Sequence, residues 1–212
     1  MVQNTLTEKI NVLGIAGSLR KNSYNRALLR AAQELAPDDM DIRIFDNETL
    51  SKIPLYNEDV RQEGQPETVE ILKNEISQAD ALLFAIPEYN HSISGVLKNA
   101  IDWASRPAKD SPLSGKPVAI MGASVGMGGT VRAQMHFRQV CVVTNMVPVN
   151  KPEVLVGNAQ QRFDSDGGRL IDEDSRKFLG QLLVALLDWT RRLNYGSMMV
   201  EIGDKTIPAR ES

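Results

Sequence analysis

Four residues able to bind a phosphate, Ser18, Arg20, Ser23 and Asn25, lie within the eight positions Ser18-Leu19-Arg20-Lys21-Asn22-Ser23-Tyr24-Asn25. An apolar run, Val12-Leu13-Gly14-Ile15-Ala16-Gly17, precedes them. A helical pattern with Leu28, Ala31, Ala32 and Leu35 on one face follows. A strand that ends in such a loop and feeds a helix presents backbone N–H groups without intrahelical partners at the positive end of the helix dipole. That arrangement takes an anion. Gly17 permits the turn, Ser18, Ser23 and Asn25 add side-chain donors, and Arg20 adds a fixed charge. The same residues also suit a well-capped helix, because Ser and Asn are what caps prefer. The loop meets neither the P-loop pattern nor the Gly-x-Gly-x-x-Gly dinucleotide pattern. A grip made of hydroxyls, amides and backbone donors is compatible with a mononucleotide such as FMN.

Two further turns carry chemistry. One is Pro87-Glu88-Tyr89-Asn90-His91-Ser92-Ile93-Ser94-Gly95, after the apolar run Ala81–Ile86; the other is Gly122-Ala123-Ser124-Val125-Gly126-Met127-Gly128-Gly129, after Pro117. A flavin needs this division of labour, with one loop on its phosphate and others beside the ring, one ring face staying open. Gly126, Gly128 and Gly129 permit close backbone approach. Each piece also has a plainer explanation. Asn90 and the glycines suit ordinary turns. Lys98 and Asp102 suit an i,i+4 surface ion pair, and Trp103 suits packing.

The elements that would position these loops alternate along the chain. Strands are expected at Asn11–Ala16, Met40–Phe45, Ala81–Ile86, Pro117–Ala123 and Val142–Val149. Helices are expected at Asn25–Leu35, from Pro66 with Val69, Leu72, Ile76 and Ala79 facing inward, at Gly95–Ser105, at Gly129–Val140, and over a final segment carrying Leu179, Leu182, Leu183, Leu186, Leu187 and Leu193. Ser51–Gln65 reads as irregular, and Gly196–Ser212 shows no pattern. Alternating strands and helices predict an α/β fold, a five-stranded parallel sheet covered on both faces. Among such folds the flavodoxin-like order 2-1-3-4-5 binds ligands at the carboxyl ends of strands 1 and 3, where the loops fall. One domain over residues 1–212 is expected, with its core at about residues 10–193 and a tail at 196–212. The stretch Asn150–Asp172 exceeds an ordinary connection. Its segment Asn158–Phe163 suits a short helical turn that packs Arg162 and Phe163 on a neighbouring subunit.

A net charge of -3 over 212 residues offers nucleic acid no electrostatic attraction. No apolar run approaches a membrane span, and the polar N-terminus has no signal-peptide core. The single cysteine, Cys141, lies in Val140-Cys141-Val142-Val143 and reads as a buried apolar residue. One cysteine excludes an internal disulfide and fits a cytoplasmic location.

The motifs Gly-Ser-Leu-Arg-x-x-Ser-x-Asn, Pro-Glu-Tyr-Asn-x-Ser-x-x-Gly-x-Leu-Lys-Asn-Ala-Ile-Asp-Trp and Gly-Ala-Ser-x-Gly-x-x-Gly together resemble the NADPH-dependent FMN reductases, most of all the bacterial quinone and chromate reductases. The resemblance covers about residues 10–193. It implies noncovalent FMN, NADPH or NADH as hydride donor, and a homodimer or homotetramer. By position it implies that Ser18, Arg20, Ser23 and Asn25 hold the phosphate. It implies that Pro87, Glu88, Tyr89 and Asn90 line the isoalloxazine, with Ser124 and Gly126 at the ring's other polar edge. Two positions depart: Ser94 stands where many relatives carry proline, which predicts a looser turn, and His91 where an aromatic is frequent. The implied reaction is a ping-pong hydride shuttle to quinones or similar acceptors such as chromate, azo compounds or free flavin. The cofactor would carry it, with no catalytic side chain and no metal. Two alternatives stand beside it: a flavodoxin-type electron carrier without NAD(P)H turnover, and a reductase that supplies free reduced flavin to a monooxygenase.

Overall fold

The computed structural model describes residues 9–206. The chain runs through β1 (Ile10–Ala16), α1 (Tyr24–Glu34), β2 (Met40–Ile44), α2 (Asn47–Ser51), α3 (Glu58–Glu63), α4 (Glu67–Gln78), β3 (Ala81–Ala85) and α5 (Gly95–Ala104). It continues through β4 (Pro117–Ala123), α6 (Val131–Thr144), β5 (Val147–Pro148), β6 (Val154–Val156), α7 (Ala159–Arg162) and α8 (Glu173–Thr206). The sheet order is β2-β1-β3-β4-β5, every pairing is parallel, and β6 also pairs with β4. This is the flavodoxin-like order that the alternation of patterns predicts.

Side-chain alternation along each strand builds two different faces. Val12, Ala16, Ala81, Leu83, Ala85, Ala119, Met121 and Ala123 face α1 and α8. Leu13, Ile15, Leu82, Phe84, Ile86, Val118 and Ile120 face α4, α5 and α6. The first face is made largely of alanine and the second of large side chains, where Phe84 packs on Phe137 at 4.7 Å between ring centroids. Both faces are covered, which is why β3 carries no polar residue.

The fifth strand departs from expectation. Val142 and Val143 belong to α6, and strand structure starts only at Val147. The helix stripe Ala133, Phe137 and Cys141 is buried at i, i+4 and i+8, and this period turns Val142 and Val143 to solvent. Asn145, left-handed at φ 55°, ends the helix. Pro148 then limits β5 to two residues, and the chain rejoins β4 further along as β6. Cys141 is fully buried, and desolvation pushes its thiol up to about 12, so it is an inert packing residue.

Other departures are local. The segment read as irregular holds one short helix, α3, and a second, α2, ends at its first residue; side-chain caps nucleate both. Asp46 accepts the Thr49 N–H at 2.7 Å, and Asn57 accepts the Asp59 N–H at 2.9 Å. Pro66 precedes α4 as its cap residue. Within the long connection, Phe163 is buried in this chain's own core against Tyr24, at 4.9 Å between centroids, so it is not available to a neighbour. Arg162 pairs with Asp172. Burial pushes the Asp172 carboxyl up, but the Ser175 N–H and hydroxyl and the Arg162 guanidinium outweigh this and hold it below the usual carboxylate range. Leu179, Leu182, Leu183, Leu186 and Leu187 bury α8 as expected, and the helix continues through Thr206 into the segment that showed no pattern. Residues 207–212 of that tail lie outside the described residues. Among the described residues no helix is long and apolar enough to cross a membrane.

Candidate active site

The parallel sheet brings the carboxyl ends of β1, β3 and β4 to one edge, and their loops enclose a cavity of about 290 Å³. Ser18, Arg20, Ser23, Tyr24, Asn25, Pro87, Glu88, Tyr89, Ala123, Ser124 and Val125 line it. Eight of the ten residues singled out from sequence meet there, while Asn90 and Gly126 are not in its lining. Tyr24, Ala123 and Val125 were missed. Tyr24 had a readable signal, since it stands at the first helical position beside Ser23. Ala123 and Val125 carry no polar group to mark them.

The end of β1 has the character of an anion site. Ser23 occupies the cap position of α1, yet its hydroxyl makes no capping bond. The first turn holds no acidic residue and carries Arg26. The N–H groups of Tyr24, Asn25 and Arg26 are the unpaired donors of a helix start. A helix that only needed a cap would use the Ser23 hydroxyl for it and would favour acid in this turn. Arg20 folds over the loop, donating to the Asn22 carbonyl at 2.9 Å with its guanidinium carbon 5.9 Å from the Tyr24 ring centroid. Ser18 is buried, and its Oγ accepts the Arg20 N–H at 3.4 Å.

The Asn25 side chain is committed elsewhere. Its Nδ2 donates to the Ala123 carbonyl and its Oδ1 accepts the Ala123 N–H, both at 2.9 Å and both buried. This two-way clasp ties the start of α1 to the end of β4. Asn25 therefore builds the cradle with its amide and offers a phosphate its backbone N–H.

The loop after β3 is a tight hairpin. Tyr89 and Ser92 exchange backbone hydrogen bonds at 3.0 Å in both directions, with Asn90 and His91 left-handed at φ 51° and 63°. Two successive positive φ values define a type I′ turn, which explains an asparagine here. Asn90 and His91 thus form an exposed tip, whereas Tyr89 reaches the cavity. Glu88 lines the cavity, but its carboxylate turns to α6, accepting the N–H groups of Arg132 at 3.0 Å and Ala133 at 3.2 Å, with the Arg132 guanidinium at 3.4 Å. It caps a helix whose own cap residue, Thr130, makes no such bond. Lys98–Asp102 is the exposed ion pair its spacing suggested, and Trp103 is buried, donating to the Pro54 carbonyl at 2.8 Å.

The loop after β4 is closed by Ser124, whose hydroxyl donates to the Gly129 carbonyl at 2.6 Å and whose N–H bonds the Val156 carbonyl at 3.0 Å. Gly126 supports the same loop by accepting from the N–H of Asn158 at 3.2 Å.

A model of the NADPH-dependent FMN reductase family matches residues 10–161. The chain belongs to that family. Membership makes it an oxidoreductase whose flavin is FMN and whose reductant is a nicotinamide nucleotide. It is similar to an NAD(P)H-dependent FMN reductase of Pseudomonas aeruginosa, 54% identical over 188 residues, which are 89% of this chain and 99% of that one. A quinone reductase of Escherichia coli is 41% identical over 189 residues, again 89% and 99% of the two chains. Among solved structures, a flavoenzyme NAD(P)H:(acceptor) oxidoreductase from Paracoccus denitrificans superposes with a TM-score of 0.77 at 34% identity, covering 86% of this chain and 98% of that one. The residues of this family member suit FMN: an uncapped, basic helix start for the phosphate and a cleft between two loops for the ring.

Proposed function

We propose that this chain transfers two electrons from NAD(P)H to a quinone, with FMN in the cavity between the loops after β1, β3 and β4. The carrying observation is the uncapped start of α1, where the Ser23 hydroxyl makes no capping bond, the first turn holds no acid, and Ser18, Arg20 and Ser23 line one cavity. In this reading Ser18, Ser23 and the backbone of Tyr24 to Arg26 hold the phosphate. Pro87, Tyr89 and Val125 flank the ring, with Tyr89 and Val125 at an exposed rim. Bound FMN supplies the hydride chemistry, and the chain binds, orients and shields it. The cavity's one carboxylate, Glu88, is engaged by α6, and in this reading the hydride chemistry is left to the flavin. One opening then serves donor and acceptor in turn, a ping-pong order. The quinone is favoured as acceptor because a relative 41% identical over nearly its whole length bears that name. NADPH oxidation measured with a benzoquinone and with excess free FMN tests this. Faster turnover with the quinone is expected; turnover confined to free FMN identifies a flavin-supplying reductase, and none at all an electron carrier.

Residues 1–212 act in this reading as one flavin-binding unit in the cytoplasm, where a single buried thiol stays reduced. The unit pairs with a second copy through α6, whose outer side exposes Val131, Met135, Val142 and Val143. Sedimentation of the Val142→Glu, Val143→Glu double variant is expected to fall to the mass of one chain, 23.4 kDa, from a multiple of it in the parent. A parent that sediments as one chain contradicts the pairing.

A further inference from the structure

Ser94 was expected to loosen the turn before α5, and the structure shows the reverse. It is buried, it caps α5 by accepting the Leu97 N–H at 3.4 Å, and its hydroxyl donates to the Gly17 carbonyl at 2.6 Å. That bond spans 77 positions of sequence and joins the loop after β3 to the first residue of the loop after β1. Gly17 is held from the other side as well, its N–H donating to the Ala85 carbonyl at 2.9 Å. A Cβ there would stand 2.8 Å from Pro87 Cδ and 3.1 Å from Ser94 Oγ, so the two loops touch at this residue.

In a trans peptide the carbonyl of one residue and the N–H of the next point in opposite directions. The Ser94 hydroxyl holds the Gly17 carbonyl toward α5, and this directs the Ser18 N–H the other way. Ser18 is the first residue of the cavity lining. Without the hydroxyl, the buried carbonyl loses its partner, and rotation of the Gly17–Ser18 peptide would turn an oxygen toward the place where a phosphate binds. From this geometry we infer that Ser94 is a positioning residue for the phosphate loop and sets how strongly the site prefers a phosphorylated flavin over an unphosphorylated one. The inference rests on the reading of the cavity as an FMN site.

A merely structural Ser94 would affect every flavin alike, so the test compares FMN with riboflavin, which lacks the phosphate. Apoprotein of the parent, Ser94→Ala and Ser94→Pro is titrated with each by quenching of flavin fluorescence, and thermal melting checks that each is folded. Proline suits the position because the Ser94 φ is already -67°. The Kd for FMN is expected to rise about tenfold in both variants while that for riboflavin changes less than about twofold. An unchanged ratio of the two constants in either folded variant, with a parent that prefers FMN, overturns the role of Ser94 alone. A parent that binds both flavins equally overturns the phosphate reading of the cavity, and the role of Ser94 with it.

Discussion

Gly122→Ala is expected to destabilise the chain by about 3 kcal/mol or more and to abolish flavin retention. A Cβ at this position of β4 would stand 2.5 Å from the Ile86 carbonyl oxygen and would overlap Thr130 Oγ1. Neither neighbour can yield cheaply. Ile86 is bonded to β4 through its own N–H, which donates to the Met121 carbonyl at 2.8 Å, and Thr130 is completely buried at the head of α6. The strands would have to part where the loops after β3 and β4 leave the sheet. Gly126→Ala is the comparison, because the nearest atom to its added Cβ is Ser124 Oγ at 3.7 Å, an ordinary contact. Thermal melting of both variants checks the contrast: a drop of about 10 °C for Gly122→Ala at roughly 3 °C per kcal/mol, and a small shift for Gly126→Ala. Equal melting temperatures would contradict it.

Asn25→Ala is the second large effect. The substitution leaves the Ala123 N–H and carbonyl without partners in a buried place, at about 1–3 kcal/mol for each unsatisfied group. The expected loss is about 3 kcal/mol, with FMN affinity falling more than stability alone requires, because α1 is no longer clasped to the end of β4. Asn25→Asp keeps an acceptor for the Ala123 N–H but removes the donor and brings a negative charge to the phosphate end of the helix. It is therefore expected to bind FMN more weakly than Asn25→Ala despite greater similarity in shape. Chemical denaturation and FMN titration of the two variants separate the effects. If Asn25→Asp binds FMN as tightly as the parent, the anion position is not at this helix start.

These two positions show where sequence was legible and where it was not. The strand order could be read because periodicity and strand-to-helix alternation are local signals, and the three polar turns could be placed at one edge once that order was set. Gly122 is different: it lies inside a clean apolar strand, and only the approach of Thr130 and Ile86 explains it. Asn25 looked like a donor for a ligand because the sequence shows the amide and not the backbone 98 positions away that engages it. Glu88 and Ser94 share this cause, since each side chain answers a need created by another element, the bare head of α6 and the carbonyl of Gly17. The valines at 142 and 143 misled for another reason. β-branched residues favour strands, but the burial of Ala133, Phe137 and Cys141 on one helix stripe outweighs a weak propensity. The cavity was predicted as a set of loops and is held together by the bonds between them.

An FMN held in this cavity is open to reduction by NAD(P)H. An anaerobic titration of the FMN-loaded protein with NADPH, followed by the visible absorption of the flavin, tests it most directly. Bleaching is expected to be complete at about one equivalent of NADPH per chain. A protein that takes up no flavin from an excess of FMN, or whose bound flavin keeps its colour when both NADPH and NADH are added, would contradict it.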